Sequence, residues 1–351
     1  MTRSFYQGTP AKSCWDDEDS RLTRSRANLS EDYFTNRQDR YHLFASKEIT
    51  EYFWKLQSVV SSLSFQVLPS QKAVDGFELV WPESNGSPSP LQDHQTFVAR
   101  ATPRLNNVII PREEHASQQL LDRKADTSVY VVGQWNQLLQ EDTSTELQAI
   151  SHLLKTLALP GFAGSSWTFT AGYFNPAPSL TSLLISTSSG KGTVITAAPE
   201  ANGFYKSPGV SGLLPGAYTY LAHNFLKAVH RSGKDSVITL KEWRNGSVGE
   251  PGGWTYHAKG LWVTLPGGGG PSITLVGSSN YTKRSYSMDL EANALIVTRN
   301  EDLKKRLDEE QQSLQHHANP VTRDDFGKND RRVSFQVRAA MWIVQLVGGA
   351  L

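Results

Sequence analysis

Residues 256–280 read YHAKGLWVTLPGGGGPSITLVGSSN. Two runs rich in β-branched and aromatic residues, one ending at Leu265 and one starting at Ser272, flank four glycines, the pattern of two strands with a flexible connection. No Gly-Lys-Ser/Thr follows the glycines, so they do not form a phosphate loop. Side chains alternate along a strand, which sends His257 and Lys259 out of one face. The second run closes on Gly277, Ser278, Ser279 and Asn280, with Asn280 23 positions after His257. A neutral imidazole can attack phosphorus, while a Lys ammonium and an Asn amide donate hydrogen bonds to the non-bridging oxygens as charge builds. Such a set requires no metal.

Outward from this stretch, helical and strand periodicities interleave. Leu147, Ile150, Leu153, Leu154 and Leu157 fall at helical spacing, as do Leu214, Tyr218, Leu221, Phe225 and Val229. Around them lie the strand-like runs SVYVVGQW (128–135), GTVITAA (192–198), SVITLKEW (236–243) and EANALIVT (291–298). The charged segment 299–317 predicts a solvated helix with Leu303, Leu307 and Leu314 turned to the core. Helices interleaved with strands specify an α/β layered fold. Upstream, residues 28–105 hold a helix over 47–62 and short strand-like runs such as FELVW (77–81). The polar segment 106–126 reads as a linker to the part that begins at Thr127.

Across 351 residues, 35 Lys and Arg stand against 34 Asp and Glu, a net charge of +1. This balance argues against nucleic-acid binding, which needs several Lys or Arg against phosphates, and any anionic ligand must be held by a local site. Cys14 is the only cysteine, which excludes an intramolecular disulfide and a cysteine-based metal cluster. The first 27 residues lack the apolar core of a secretory signal, and the run Asp16, Asp17, Glu18, Asp19 departs from a transit peptide. Residues 156–190 are uncharged but broken by Pro160, Pro176 and Pro178, which predicts buried strand and helix rather than a membrane span. The apolar run 339–351 has 13 residues, short of the ~20 a spanning helix requires. It reads as a docked terminal segment, with an interfacial membrane contact as the alternative.

A weak internal repeat strengthens the case for a site. Asn28 is followed eleven residues later by Asp39, and Asn280 eleven residues later by Glu291. Each carboxylate opens an apolar run, DRYHLF or EANALIV, that leads into a helix. In a duplicated site each Asn faces the phosphate and each carboxylate orients an imidazole. The plain alternative is that both pairs are strand-end turn residues.

These residues resemble the phospholipase D superfamily, whose paired His-x-Lys and Gly-Ser-x-Asn motifs build one active site from two halves. Seven stretches, those two motifs included, extend the resemblance to one branch, the eukaryotic phosphatidylglycerophosphate synthases. They are ANLS (27–30) with YFTNRQDRY (33–41), TAGYFN (170–175), PEANGFY (199–205), YHAKGLW (256–262), and GSSN (277–280) with DLEA (289–292). The resemblance implies an α/β, phospholipase D-like mixed sheet flanked by helices. It implies a complete second repeat over 127–351, a truncated first repeat over 27–105 and a non-matching segment over 1–26, because the family's first His-x-Lys should precede Asn28 and the earliest histidine is His42. The superfamily's usual Asp five residues after the Lys is Thr264 here, as is common in this branch.

The implied activity is phosphatidyl transfer from CDP-diacylglycerol to glycerol-3-phosphate, without cofactor or metal, at a peripheral membrane position in mitochondria. By the same resemblance His257 is the covalent nucleophile or its acid/base partner, Lys259, Asn280 and Ser278 hold phosphate, and Glu291 supports a histidine. Asn28 and Asp39 contribute from the other half. With one His-x-Lys the site is either completed in a homodimer or inactive. Two other readings stay open: a phospholipase D-type phosphodiesterase, and a non-catalytic chain that binds the lipid substrate or the full-length enzyme.

Overall fold

The computed structural model describes residues 13–16, 21–25, 30–110, 125–328 and 331–346. Its strands are β1 (Ser13–Asp16), β2 (Arg21–Ser25), β3 (Arg37–Gln38), β4 (Tyr41–Ala45), β5 (Gln66–Pro69), β6 (Phe77–Val80), β7 (Thr127–Gln134), β8 (Ser166–Ala171), β9 (Lys191–Ala197), β10 (Ile238–Trp243), β11 (Thr255–Tyr256), β12 (Lys259–Thr264), β13 (Ile273–Val276), β14 (Glu291–Thr298) and β15 (Ala318–Val321). The helices are α1 (Asp32–Thr35), α2 (Lys47–Ser61), α3 (His94–Ile109), α4 (Glu146–Leu157), α5 (Pro178–Ser186), α6 (Leu214–Arg231), α7 (Lys283–Met288), α8 (Glu301–Gln315) and α9 (Phe335–Leu346).

Eight strands form one mixed sheet in the order β15-β10-β9-β8-β12-β13-β14-β7. β8, β9 and β10 run parallel, and every other neighbouring pair is antiparallel. Parallel neighbours need crossover connections, which α5 supplies between β8 and β9 and α6 between β9 and β10. The sheet is covered on both faces, so its central strands are near-continuous apolar runs. On one face, Ile150, Leu154 and Leu157 of α4, Leu180 and Leu184 of α5, and Phe225 and Val229 of α6 pack on Phe169, Val194, Leu261 and Leu275. On the other, Leu307 and Leu314 of α8 meet Ile195, Trp243, Tyr256 and Trp262. Neighbours along a strand, Val194 and Ile195 or Leu261 and Trp262, enter opposite layers as strand alternation requires. The expected mixed sheet flanked by helices is therefore the fold of this chain.

The amino-terminal part adds a helical pair. Phe53, Leu56 and Val60 of α2 pack with Phe97, Ala101 and Leu105 of α3 and with Trp135 and Leu138, just past β7. The sequence reading holds no helix where α3 stands, because Pro103 and the polar residues around it weaken the signature. The spacing of Phe97, Ala101 and Leu105 nonetheless marks one face, and Asp93 caps the helix by accepting from the Thr96 N–H. α3 runs to Ile109, so the first residues of the 106–126 stretch are helical; residues 111–124 lie outside the described residues. Of the apolar carboxy-terminal run, residues 339–346 lie in α9, where Met341 packs beside Val337 against Ala217 of α6; residues 347–351 lie outside the described residues.

Candidate active site

The site residues gather at one end of the large sheet. β8, β13 and β7 end there, and β12 and β14 begin there, as the antiparallel registers dictate. Open α/β sheets place ligands outside the carboxyl ends of their strands. Two short ladders complete the arrangement: β3 pairs in parallel with β11, and the His257 N–H donates to the Gln38 carbonyl. This carries Asp39 to the imidazole of His257. After Tyr256 the chain leaves the strand for His257 and Ala258 and re-enters the sheet at Lys259, yet both side chains still face one another.

Asp39 Oδ2 lies 2.9 Å from His257 Nδ1, and Lys259 Nζ lies 3.0 Å from His257 Nε2. An ammonium only donates and an ionised carboxylate only accepts. The network therefore assigns the ring proton to Nδ1, donated to Asp39, and leaves the Nε2 lone pair directed at Lys259. The Asp39 carboxylate has no exposed surface, while 18% of the His257 side chain is open. Its other oxygen accepts from the Arg40 N–H at 2.9 Å. Tyr33 and Tyr173 stand edge-on to the imidazole, with centroids at 5.6 and 5.9 Å. Burial raises the Tyr173 hydroxyl above its ordinary range, so this ring remains a neutral wall.

Immediately beneath, Arg40 locks the amino-terminal segment to the sheet. Its guanidinium, without exposed surface, donates to the Leu275 carbonyl at 2.8 Å, to Thr274 Oγ1 at 3.0 Å and to both Glu310 oxygens at 2.9 Å. It also lies 3.8 Å above the Trp262 ring. Burial alone would push the Glu310 carboxyl up, but Arg40 and His42 overcome this and hold it well below the usual carboxylate range. Gly260, at φ +150°, makes room: a Cβ there would come 2.1 Å from Arg40 Nη1 and 2.6 Å from the Leu275 carbonyl.

The Gly277 to Asn280 turn follows β13, beside the start of β12. A side chain at Gly277 would overlap Asn293, whose Oδ1 accepts from the Ser278 N–H at 2.7 Å. Ser278 Oγ donates to Glu291 Oε2. Asn280 Oδ1 is buried without a hydrogen-bond partner among the described residues, and Tyr281 turns the chain at φ +58°. Thus His257 touches both Asp39 and Lys259, Ser278 and Glu291 form a second contact, and Asn280 stands on the same turn as Ser278. Asn28 lies outside the described residues. The nearby Asp289 carboxyl is raised by burial and lowered in opposition by Arg284 and by the charge of Lys259.

Sequence reasoning missed a carboxyl behind this turn. Glu146 is fully buried, taking hydrogen bonds from Gln134 at 2.8 Å and from Asn293. Burial pushes it up to about 7 against the opposing pull of Gln134, Ser279, Tyr286 and Asn293. The available signal was its place on the apolar face of α4, in line with Ile150, Leu154 and Leu157.

No family model matches the chain. It is 43% identical over 339 residues to the "CDP-diacylglycerol--glycerol-3-phosphate 3-phosphatidyltransferase" of Saccharomyces cerevisiae, a match covering 93% of this chain and 63% of that protein. It is 32% identical over 339 residues to the mouse protein of the same name, designated mitochondrial, covering 91% of this chain and 58% of that one. The chain thus spans about three-fifths of the length of these curated relatives. The crystal structure of phosphatidylserine synthase from Haemophilus influenzae superposes with a TM-score of 0.62 at 16% identity, over 94% of this chain and 67% of that one, a likeness of fold. Matched over nearly all its own length by proteins that share one name, the chain is similar to the CDP-diacylglycerol--glycerol-3-phosphate 3-phosphatidyltransferases over about three-fifths of their length.

Proposed function

We propose that this chain takes part in phosphatidyl transfer from CDP-diacylglycerol to glycerol-3-phosphate, the reaction for which its relatives are named. The observation that carries this reading is the imidazole held between a buried carboxylate on Nδ1 and an ammonium at Nε2. A phosphoryl group entering beside Lys259 takes over the lysine's hydrogen bond and frees the Nε2 lone pair. Nε2 then bonds to the phosphorus that bears diacylglycerol, the bond to the CMP oxygen breaks, and CMP departs. Asp39 keeps the ring oriented and steadies its positive charge, while Lys259 and the Asn280 amide stabilise the non-bridging oxygens. Ser278, fixed by Glu291, sets the position of that amide.

In the second step the glycerol-3-phosphate hydroxyl attacks phosphorus and the phosphorus–nitrogen bond breaks, returning the lone pair to His257. A second acid/base group first protonates the CMP leaving oxygen and then takes the hydroxyl proton. We assign that group to a second copy of the chain or to the remaining length found in the longer relatives. The walls of Tyr33 and Tyr173 limit water at the imidazole, which favours transfer over hydrolysis. The mouse relative's designation supports a mitochondrial setting, and a diacylglycerol substrate supports a peripheral position on a membrane.

The test is CMP release from CDP-diacylglycerol by the purified chain, alone and mixed with its longer relative, with and without glycerol-3-phosphate. Acceptor-dependent release abolished by His257→Ala supports the reading. Acceptor-independent release of phosphatidate would reassign the chain to phosphodiester hydrolysis, and release unaffected by His257→Ala would overturn the role of His257.

A further inference from the structure

Two stretches of the chain, 201–234 and 331–346, meet where the first turns of α6 and α9 pack together. Val337 lies against Gly216, where an added Cβ would come 3.2 Å from it, and Val337 and Met341 bury themselves with Leu213, Ala217, Tyr220 and Leu221. The opposite face of α9 carries Phe335, Arg338 and Trp342, spaced three and four apart and therefore in line along the helix. Phe335 is 84% exposed and Trp342 63%, and Val210, on the turn that leads to Leu213, is 81% exposed.

The charge within these two stretches is one-sided. Residues 201–234 contain Lys206, Lys227, Arg231 and Lys234, residues 331–346 contain Arg331, Arg332 and Arg338, and neither stretch contains an Asp or Glu. Lys206 and Arg331 are paired with Glu250 and Glu242 from elsewhere in the chain. Arg332 and Arg338, both exposed, thus stand with Phe335 and Trp342 on a segment that has no acidic residue. A short amphipathic helix with Arg on its polar rim and Trp and Phe outward has the composition of one that lies in a membrane interface. No helix among the described residues is long and apolar enough to cross a membrane.

We infer that the outward face of α9, with Val210 beside it, is the surface by which this protein rests on an anionic bilayer. Phe335 and Trp342 enter the headgroup boundary, and Arg338 pairs with lipid phosphate between them. The corner also adjoins the candidate active site. Tyr218 of α6 lies 5.3 Å from Tyr173, ring to ring, and Tyr173 lies 5.9 Å from His257. The surface is read from exposure and charge; the proposed function enters in one respect, that a diacylglycerol substrate is drawn from the membrane so docked.

The test is co-sedimentation of the full chain with vesicles of phosphatidylcholine alone and of phosphatidylcholine mixed with phosphatidylglycerol, containing no CDP-diacylglycerol. The chain should bind the mixed vesicles more tightly, and the combined Phe335→Ser and Trp342→Ser variant should partition ~10-fold or more weakly, since two buried aromatic side chains are lost. Arg338→Glu should remove most of the preference for the anionic vesicles while leaving thermal unfolding unchanged. Equal binding by chain and double variant overturns the inference, as does a dimer on size exclusion that the double variant dissolves, which would make a second copy the occupant. Because vesicle binding requires no turnover, a chain that binds but releases no CMP keeps this surface and loses the proposed reaction, and the converse result separates them equally.

Discussion

Asp39 and His257, 218 residues apart in the chain, share a hydrogen bond of 2.9 Å with the carboxylate enclosed and the imidazole partly open. The enclosed partner fixes which ring nitrogen carries the proton, and the open one meets whatever enters. Asp39→Asn keeps the shape but can donate to Nδ1, which turns the reactive lone pair away. CMP release should fall by ~10³-fold or more with unfolding unchanged, as when the orienting carboxylate of a catalytic triad is lost. A loss of only a few-fold would remove Asp39 from the mechanism.

Arg40 should be among the least replaceable side chains. Arg40→Met leaves the partly buried Glu310 with only His42 and Trp262 and empties the donors to Leu275 and Thr274, for an expected cost of ~1–3 kcal/mol in urea unfolding. Arg40→Lys should recover little, because one ammonium cannot reproduce the planar fork. Gly260→Ala forces a methyl onto the same guanidinium. Its cost should shrink in the Arg40→Met background, where the Leu275 carbonyl and the φ of +150° still oppose it.

Glu146 gives stability a pH dependence of definite sign. Its carboxyl ionises near 4.5 ordinarily and near 7 in the fold. Between those values the native state keeps a proton that the unfolded chain has released, so stability falls as pH rises from about 4.5 to about 7. The full span amounts to ~3 kcal/mol at 1.36 kcal/mol per pH unit. Glu146→Gln should flatten that slope in unfolding measured at pH 5 and 7.5. An unchanged slope would place the titrating group elsewhere.

Core and surface leucines at the two ends of one segment offer a calibration. Leu154 is fully buried beneath the sheet, whereas Leu159, just past α4, is 55% exposed. Leu154→Ala should cost ~2–5 kcal/mol through lost transfer energy and a cavity, and Leu159→Ala less than ~0.5 kcal/mol.

The large sheet was legible because each strand and helix carries its own period. The runs at 128–135, 192–198, 236–243 and 291–298 appear as β7, β9, β10 and β14 with ends shifted by at most two residues. His257 and Lys259 could be paired from spacing alone. What spacing cannot state is which carboxylate meets which imidazole. Asp39 and Glu291 each stand eleven residues after an Asn, and the choice is made by β3 pairing with β11, a ladder two residues long with no periodic signature. Arg40 was one charge among many until Gly260 and Glu310 enclosed it. Glu146, in the first turn of a helix, reads as an ordinary favourable acid there, and only the layer above it makes it costly.

The contacts that bind the amino-terminal segment to the site are also the most distant in sequence, 218 residues for Asp39 with His257 and 270 for Arg40 with Glu310. Chain closure over such distances is slow, whereas the β12–β13 hairpin closes locally. The order of folding should follow: the sheet first, the clamp and the carboxylate last, so that in refolding the return of CMP release trails the burial of tryptophan. A nascent or partly folded chain then holds its imidazole but not the partner that orients it. The orienting contact thus arrives only when the amino-terminal segment has closed onto the finished sheet.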